Sequence, residues 1–299
     1  MIKNVRRLIP PLLPQFHKGQ LGRILVVGGS EDYTGAPYFA AMAAALVGCD
    51  MSHILCTGGA APVIKTYSPN LMVHPYLDEG ATQLSPKVEP LLNRVHVVLI
   101  GPGLGRDPRV FEQVKQIMRL TKDRRLPLVI DADGLFLVQQ DLDVVKSYLP
   151  RHVVLTPNVV EFSRLVRAAN LPDNLGTAQQ AQELAKLLQC AVLVKGSEDV
   201  ITDGQDVEIN TTEGSLRRVS GQGDTLSGAL VTFMAWTEVY KERLWDTEPI
   251  DKNLHIVAAW GASSVARTAS KLAFAACGRA MGTTDVNNRV GEAFAKLYE

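Results

Sequence analysis

The sequence predicts an α/β fold, three α/β/α layers around a mainly parallel sheet with a β-hairpin at one edge, and three observations lead there. Short β-rich apolar runs alternate with longer runs of helical period, the pattern of βαβ units covered by helices on both faces. Past residue 196 the alternation gives way to short strands joined around Asp203-Gly204, a hairpin turn signal. The chain has 299 residues, 46% hydrophobic and 21% charged, enough for a sizeable core without disulfide or metal staples.

Taken in order, RILVVGG is a strand that stops at glycines, and APYFAAMAAALVG after it has the length and small apolar residues of a packed helix. VHVVLIG is followed by the amphipathic RVFEQVKQIMRL, and PLVIDADG by LFLVQQDLDVVKSYL, read as helical throughout. HVVLTPN leads into NVVEFSRLVRAAN, and AQQAQELAKLLQ into AVLVKG. DVITDGQDVEIN and SLRRVS read as the short strands of the edge. The last third is helical: GDTLSGALVTFMAW, then NLHIVAAWGASSVARTASKLAFAACGRA, whose alanines, glycines and serines permit close packing within one subunit or between copies. No break in composition marks a linker, so residues 1–299 read as one domain with 1–17 as a short extension.

Thirty-one basic and thirty-one acidic residues cancel without long blocks of either sign, which leaves no electrostatic footprint for nucleic acid or an anionic membrane. A small-molecule partner is expected. Cys49, Cys56, Cys190 and Cys277 lack the spacing of a zinc site or disulfide framework. The basic N-terminus is interrupted by prolines, and no run of about 18 apolar residues occurs. The expectation is a cytoplasmic protein, a mitochondrial form staying open. His53, His74, His96 and His152 lie in apolar strand-like stretches and read as satisfied core or edge residues, and Trp236 and Trp260 as packing.

Open parallel sheets bind ligands beyond the carboxyl ends of their strands. Here those ends are Gly28-Gly29-Ser30, Gly101-Pro102-Gly103-Leu104-Gly105, Asp131-Ala132-Asp133-Gly134, Thr156-Pro157-Asn158 and Lys195-Gly196. The sharper signal is SGQGDTLSG, where Gly221 and Gly223 allow amides to face an anion and the helix starting near Asp224 adds its positive dipole end. Asp224 suits a base for phosphoryl transfer, the reading the pattern favours; the alternative is a helix cap beside a plain loop. Asn158 with Glu161 forms a capping-box pair. Asp131 and Asp133 serve either to cap the next helix or to reach magnesium through water, and Tyr33, Thr34 and Gly35 either as a turn or as a flap over a ligand. A P-loop and a GxGxxG fingerprint are both absent.

HKGQLGRILVVGGSEDYTGAP, IGPGLGRD, VIDADGL, LTPNVVEFSRL, LVKGSEDVI and SGQGDTLSG, in this order from about Lys18 onward, resemble the ATP-dependent (S)-NAD(P)H-hydrate dehydratases of the ribokinase-like superfamily, and the glutamine of GQGD resembles the eukaryotic branch. The resemblance implies a lyase that repairs hydrated NADH or NADPH, phosphorylating the ring hydroxyl with ATP and a divalent metal, Mg2+, and then expelling phosphate. It implies that Asp224 is the catalytic base, and that Gly105, Asn158, Val159, Val160, Glu161, Phe162, Ser163, Arg164 and Asp224 hold the hydrated dinucleotide. Lys195, Gly196, Ser197, Glu198 and Asp199, with Gly214, Ser215, Leu216, Arg217, Arg218, Val219, Ser220, Gly221, Gln222 and Gly223, are implied for ATP. Direct metal ligands are not implied. The short segment before Lys18 carries no epimerase domain of the kind fused to bacterial relatives, so that activity is not expected. Two rival readings are a small-molecule kinase of the same superfamily and a nucleotide-binding regulator without turnover, the latter expected to lack Asp224.

Overall fold

The computed structural model describes residues 1–146, 148–246 and 248–299. Nine strands form one sheet: β1 (Arg23–Val27), β2 (Met51–Thr57), β3 (Met72–Leu77), β4 (Val97–Ile100), β5 (Leu128–Ile130), β6 (Val153–Leu155), β7 (Ala191–Val194), β8 (Asp199–Thr202) and β9 (Val207–Asn210). Their spatial order is β3-β2-β1-β4-β5-β6-β7-β8-β9. Strands β1 to β7 pair in parallel, while β8 and β9 add in antiparallel fashion as the edge hairpin.

Helices cover both faces, which is why strands such as VVLI in β4 are apolar at every position. Val97 and Leu99 face the helices Gly35–Val47, Gln222–Lys241 and Leu254–Cys277, whereas Val98 and Ile100 face Pro108–Asp123, Asp133–Gln140, Val159–Ala168 and Thr177–Leu188. Small residues draw the first set close: Ser52 donates from Oγ to the Ala41 carbonyl at 3.0 Å, and Thr232 to the Ala44 carbonyl at 3.1 Å. The chain order doubles back at β1, with β2 on one side and β4 on the other, which creates a topological switch point. The loops after these strands meet there, where the Gly29 N–H donates to the Gly103 carbonyl at 3.1 Å.

The sequence reading differs from the fold in four places. Residues 49–94, strand-like in the sequence only around His53 and His74, supply β2, β3 and the helices Ala60–Tyr67 and Val88–Leu92; the polar residues of MSHILCT and the proline of MVHPYL blur the period. LFLVQQDLDVVKSYL is not one helix, because Asp141 takes an extended conformation and its side chain accepts from the Asp143 N–H at 3.2 Å, starting a short 3-10 turn; Ser147 lies outside the described residues. SLRRVS is a loop rather than a strand, its N–H groups going to side chains: Ser215 to Ser270 Oγ at 3.2 Å and Val219 to Gln222 Oε1 at 3.1 Å. The segment before Lys18 is anchored, since the helix Ile2–Leu8 buries Val5 and Leu8 in the core.

Candidate active site

Lys195 is where the predicted loops converge. It leaves β7 with its N–H on the Pro157 carbonyl at 2.8 Å, which sets the loops after β6 and β7 side by side. Its Nζ lies 2.8 Å from Asp131 Oδ1, the carboxylate at the end of β5, with side chains 18% and 2% exposed. The remaining donor to that oxygen is the N–H of Ala132 at 2.9 Å. Burial alone would lower the Lys195 pKa; Asp131, Glu161 and Asp224 outweigh it, and the net direction is up.

Asp224 stands opposite, third in the helix Gln222–Lys241, whose cap is Gly221 at φ 95° and ψ −12°. Only a residue free of Cβ strain holds that conformation readily, and a Cβ there would also stand 2.8 Å from the Thr283 side chain. No side chain caps this helix, so Asp224 is not serving as a cap. Burial, and then the Asp131 charge, push its pKa well above the ordinary carboxylate range, with Lys195 pulling the other way. Burial also raises Glu161. Gly223 is not in the left-handed region; its lack of a side chain leaves room for Lys195, since a Cβ there would lie 3.3 Å from Lys195 Nζ, tighter than ordinary contact.

A cavity of about 690 Å³ opens beside Lys195 and Gly223, while Asp131, Glu161 and Asp224 are not among the residues that line it. Of the residues assigned to ATP, Lys195, Gly196, Ser197, Asp199, Gly214, Arg218, Val219, Gln222 and Gly223 line it. Asp199 is turned away from any ligand charge, being paired with Arg267 at 2.8 Å and accepting from Ser263 Oγ at 2.7 Å. Glu198, Leu216, Arg217 and Ser220 are exposed beside the cavity, Ser215 is buried beneath it, and Gly221 supplies the turn. Gln222 holds this arm in shape by donating from Nε2 to Ser215 Oγ at 3.1 Å.

The set assigned to the dinucleotide divides. Asn158, Val159 and Val160 line the same large cavity, whereas Glu161 and Arg164 line a smaller one of about 100 Å³ with Arg106, Ala132, Asp133 and Phe136. Gly105 borders the smaller cavity, its N–H donating to Asp133 Oδ2 at 3.1 Å, and Arg106 Nε donates to the other oxygen at 3.2 Å. Phe162 packs in the core at 4% exposure, and Ser163 is half-buried. Asn158 and Glu161 form the complete capping box. Asp131 and Asp133 cap nothing, because the helix Asp133–Gln140 has no side-chain cap. The Tyr33 N–H donates to the Ser30 carbonyl at 3.1 Å and Thr34 Oγ1 lies 2.8 Å from the Tyr67 hydroxyl, while Tyr33 stays exposed.

Sequence reasoning missed Leu226, Ala266, Arg267 and Ser270, which complete the large cavity. A signal was available: Arg267 is the lone Lys, Arg, Asp or Glu between Leu254 and Ser270. His53 and His255 are buried and His74, His96 and His152 half-buried, but not all are satisfied, since His53 Nε2, His152 Nδ1 and His255 Nδ1 have no hydrogen-bond partner among the described residues.

The family model described as NAD(P)H-hydrate dehydratase matches residues 24–290, spanning every strand after the first residue of β1 and every loop named above. The chain belongs to this family. It is 46% identical to the ATP-dependent (S)-NAD(P)H-hydrate dehydratase of Saccharomyces cerevisiae, over 98% of this chain and 95% of that protein. Solved structures share the fold. A ribokinase-like superfamily protein from Enterococcus faecalis aligns with a TM-score of 0.77 at 21% identity, over 99% of this chain and 94% of that one. The ADP/ATP-dependent NAD(P)H-hydrate dehydratase of Bacillus subtilis, co-crystallised with ATP/Mg2+, aligns with a TM-score of 0.70 at 22% identity, over 98% and 97% of the two chains.

Proposed function

We propose that this chain catalyses the ATP-dependent dehydration of (S)-hydrated NADH or NADPH, restoring the reduced nicotinamide, as its relatives' names state for them. The observation that carries the reading is Asp224, a carboxylate on the first turn of a helix that caps nothing and is held at raised basicity opposite Lys195. The large cavity takes ATP, with its γ-phosphoryl toward the Gly221 to Gly223 turn, and the hydrated ring enters from the side of Gly105, Asp133 and Arg164. Asp224 accepts the proton of the ring hydroxyl as its oxygen bonds to the γ-phosphorus and ADP leaves. The lone pair of the adjacent ring nitrogen then expels phosphate, and loss of a proton from the neighbouring ring carbon restores the double bond. Lys195 and the helix N-terminus oppose the charge that gathers on the phosphoryl oxygens.

Among the described residues no group of three His, Cys, Asp or Glu side chains is placed to hold a metal by itself. That fits magnesium, which is held mainly by substrate phosphates with one or two carboxylates. Asp131, through water, is the carboxylate we assign to it, and the ion would neutralise phosphoryl charge.

The test is a three-way balance with hydrated NADH, ATP and magnesium: ADP, inorganic phosphate and absorbance of reduced nicotinamide should grow in equal amounts. ADP formed with neither of the others would replace this reading with that of a simple kinase.

A further inference from the structure

We infer that Arg267 is a positioning residue for the nucleotide: it fixes the gap between the two arms of the large cavity, and thereby ATP affinity, without touching the chemistry at Asp224. This rests on the nucleotide reading given above. One arm is the turn Gly196 to Asp199 between β7 and β8; the other is the loop that runs from Thr212 past β9. Arg267 reaches both. Its Nη1 donates to Asp199 Oδ1 at 2.8 Å and to the Gly196 carbonyl at 3.3 Å, its Nη2 to the Ser197 carbonyl, and its Nε to the Thr212 carbonyl. The side chain is 13% exposed, and the residue lines the cavity itself. One turn further on, Ser270 Oγ accepts the Ser215 N–H at 3.2 Å, a second tie from the same helix to the second arm.

The guanidinium is suited to this because its donors diverge in a rigid plane, so one side chain can satisfy carbonyls on two separate segments. A lysine can keep the charge beside Asp199 but cannot bridge the two arms. Loops already held in their bound conformation cost less to order when the ligand arrives, so releasing them is read as lost affinity. The consequence is a split: Arg267→Lys leaves the ion pair and the fold while loosening the cavity.

The experiment compares wild type with Arg267→Lys and Ser270→Ala. A non-hydrolysable ATP analogue with magnesium is titrated by calorimetry, KM is measured for ATP and for hydrated NADH, and thermal melts are recorded. For Arg267→Lys the expected result is a loss of about 10- to 100-fold in analogue affinity and a matching rise in KM for ATP, with KM for hydrated NADH and the acid limb of kcat unchanged. Ser270→Ala should move the same constants in the same direction by less. An unchanged KM for ATP, an equal rise in both KM values, or loss of the cooperative melt in Arg267→Lys would overturn the inference, the last by assigning Arg267 to the fold. Wild type failing to bind the analogue would instead overturn the nucleotide reading itself.

Discussion

Replacing Lys195 by Met removes the cation from a pair whose other member, Asp131, is 2% exposed and 2.8 Å away. The methionine fills similar volume, so the loss is electrical rather than a cavity. Asp131 keeps one donor to that oxygen, the Ala132 N–H, and faces Asp224 and Glu161 with no lysine between them. Breaking a buried pair from one side costs about 3–5 kcal/mol because a charge stays buried without its partner. At this chain length about 2 °C of Tm accompanies each kcal/mol, so Lys195→Met should melt about 6–10 °C below wild type. Removing Asp131 as well, in Lys195→Met with Asp131→Asn, takes away the orphaned charge and should recover most of that loss. Thermal melts of wild type, both single variants and the double variant form a cycle that isolates the coupling. A Lys195→Met chain within about 1 kcal/mol of wild type, or a double variant as unstable as the single, would refute a stabilising role for this pair.

Asp224→Asn should bind ATP normally and lose about 100- to 10,000-fold in turnover; near-normal turnover would remove Asp224 as base. The same variant should be more stable than wild type at pH 8. The raised pKa means the native state keeps a proton that the unfolded state releases, so wild type loses stability as pH rises through the window above the ordinary carboxylate value. The difference should vanish below about pH 3, where both states are protonated, and melts across pH would show its absence. The acid limb of kcat should likewise lie above the ordinary carboxylate range, and a limb near pH 4 would assign the proton to another group. Gly223→Val places carbon against Lys195 Nζ and should harm kcat more than Tm; unchanged kinetics would make the turn a connector only.

What was legible in the sequence is what a single local rule decides. Strands β1, β4, β6 and β7 are runs with almost no polar residue, and the hairpin announces itself at Asp203-Gly204. Strands β2 and β3 lie toward and at the sheet edge and carry His53, His74 and Pro75, tolerated because tertiary packing outweighs local period there. SLRRVS reads as a strand by its sequence, but Leu216 is 89% exposed and the Ser215 and Val219 N–H groups go to the Ser270 and Gln222 side chains. The site divided in the same way. Lys195, Gly223 and Asp224 follow strand ends and a glycine turn, which periodicity exposes. Arg267 comes from mid-helix and joins the cavity only because Leu254–Cys277 crosses behind β8 and β9, a relation that no local window contains.

The anchoring of the helix Ile2–Leu8 bears on how the molecule is made. Arg7 pairs with Asp246 across 239 positions, and Trp245 Nε1 donates to the Arg7 carbonyl at 3.0 Å. At about 5–20 residues per second a ribosome takes roughly 12–48 s to span that interval. One side of the sheet can be finished during that wait, because Pro108–Asp123, Asp133–Gln140, Val159–Ala168 and Thr177–Leu188 emerge alongside their strands. The other side cannot: Val5, Leu8 and the alanine face of Gly35–Val47 rest on Gln222–Lys241 and Leu254–Cys277, which are translated long after them. The nascent chain therefore carries a bare apolar surface until Gln222–Lys241 and Leu254–Cys277 have emerged, which ties its yield to holding chaperones and to the pace of translation through residues 222–277.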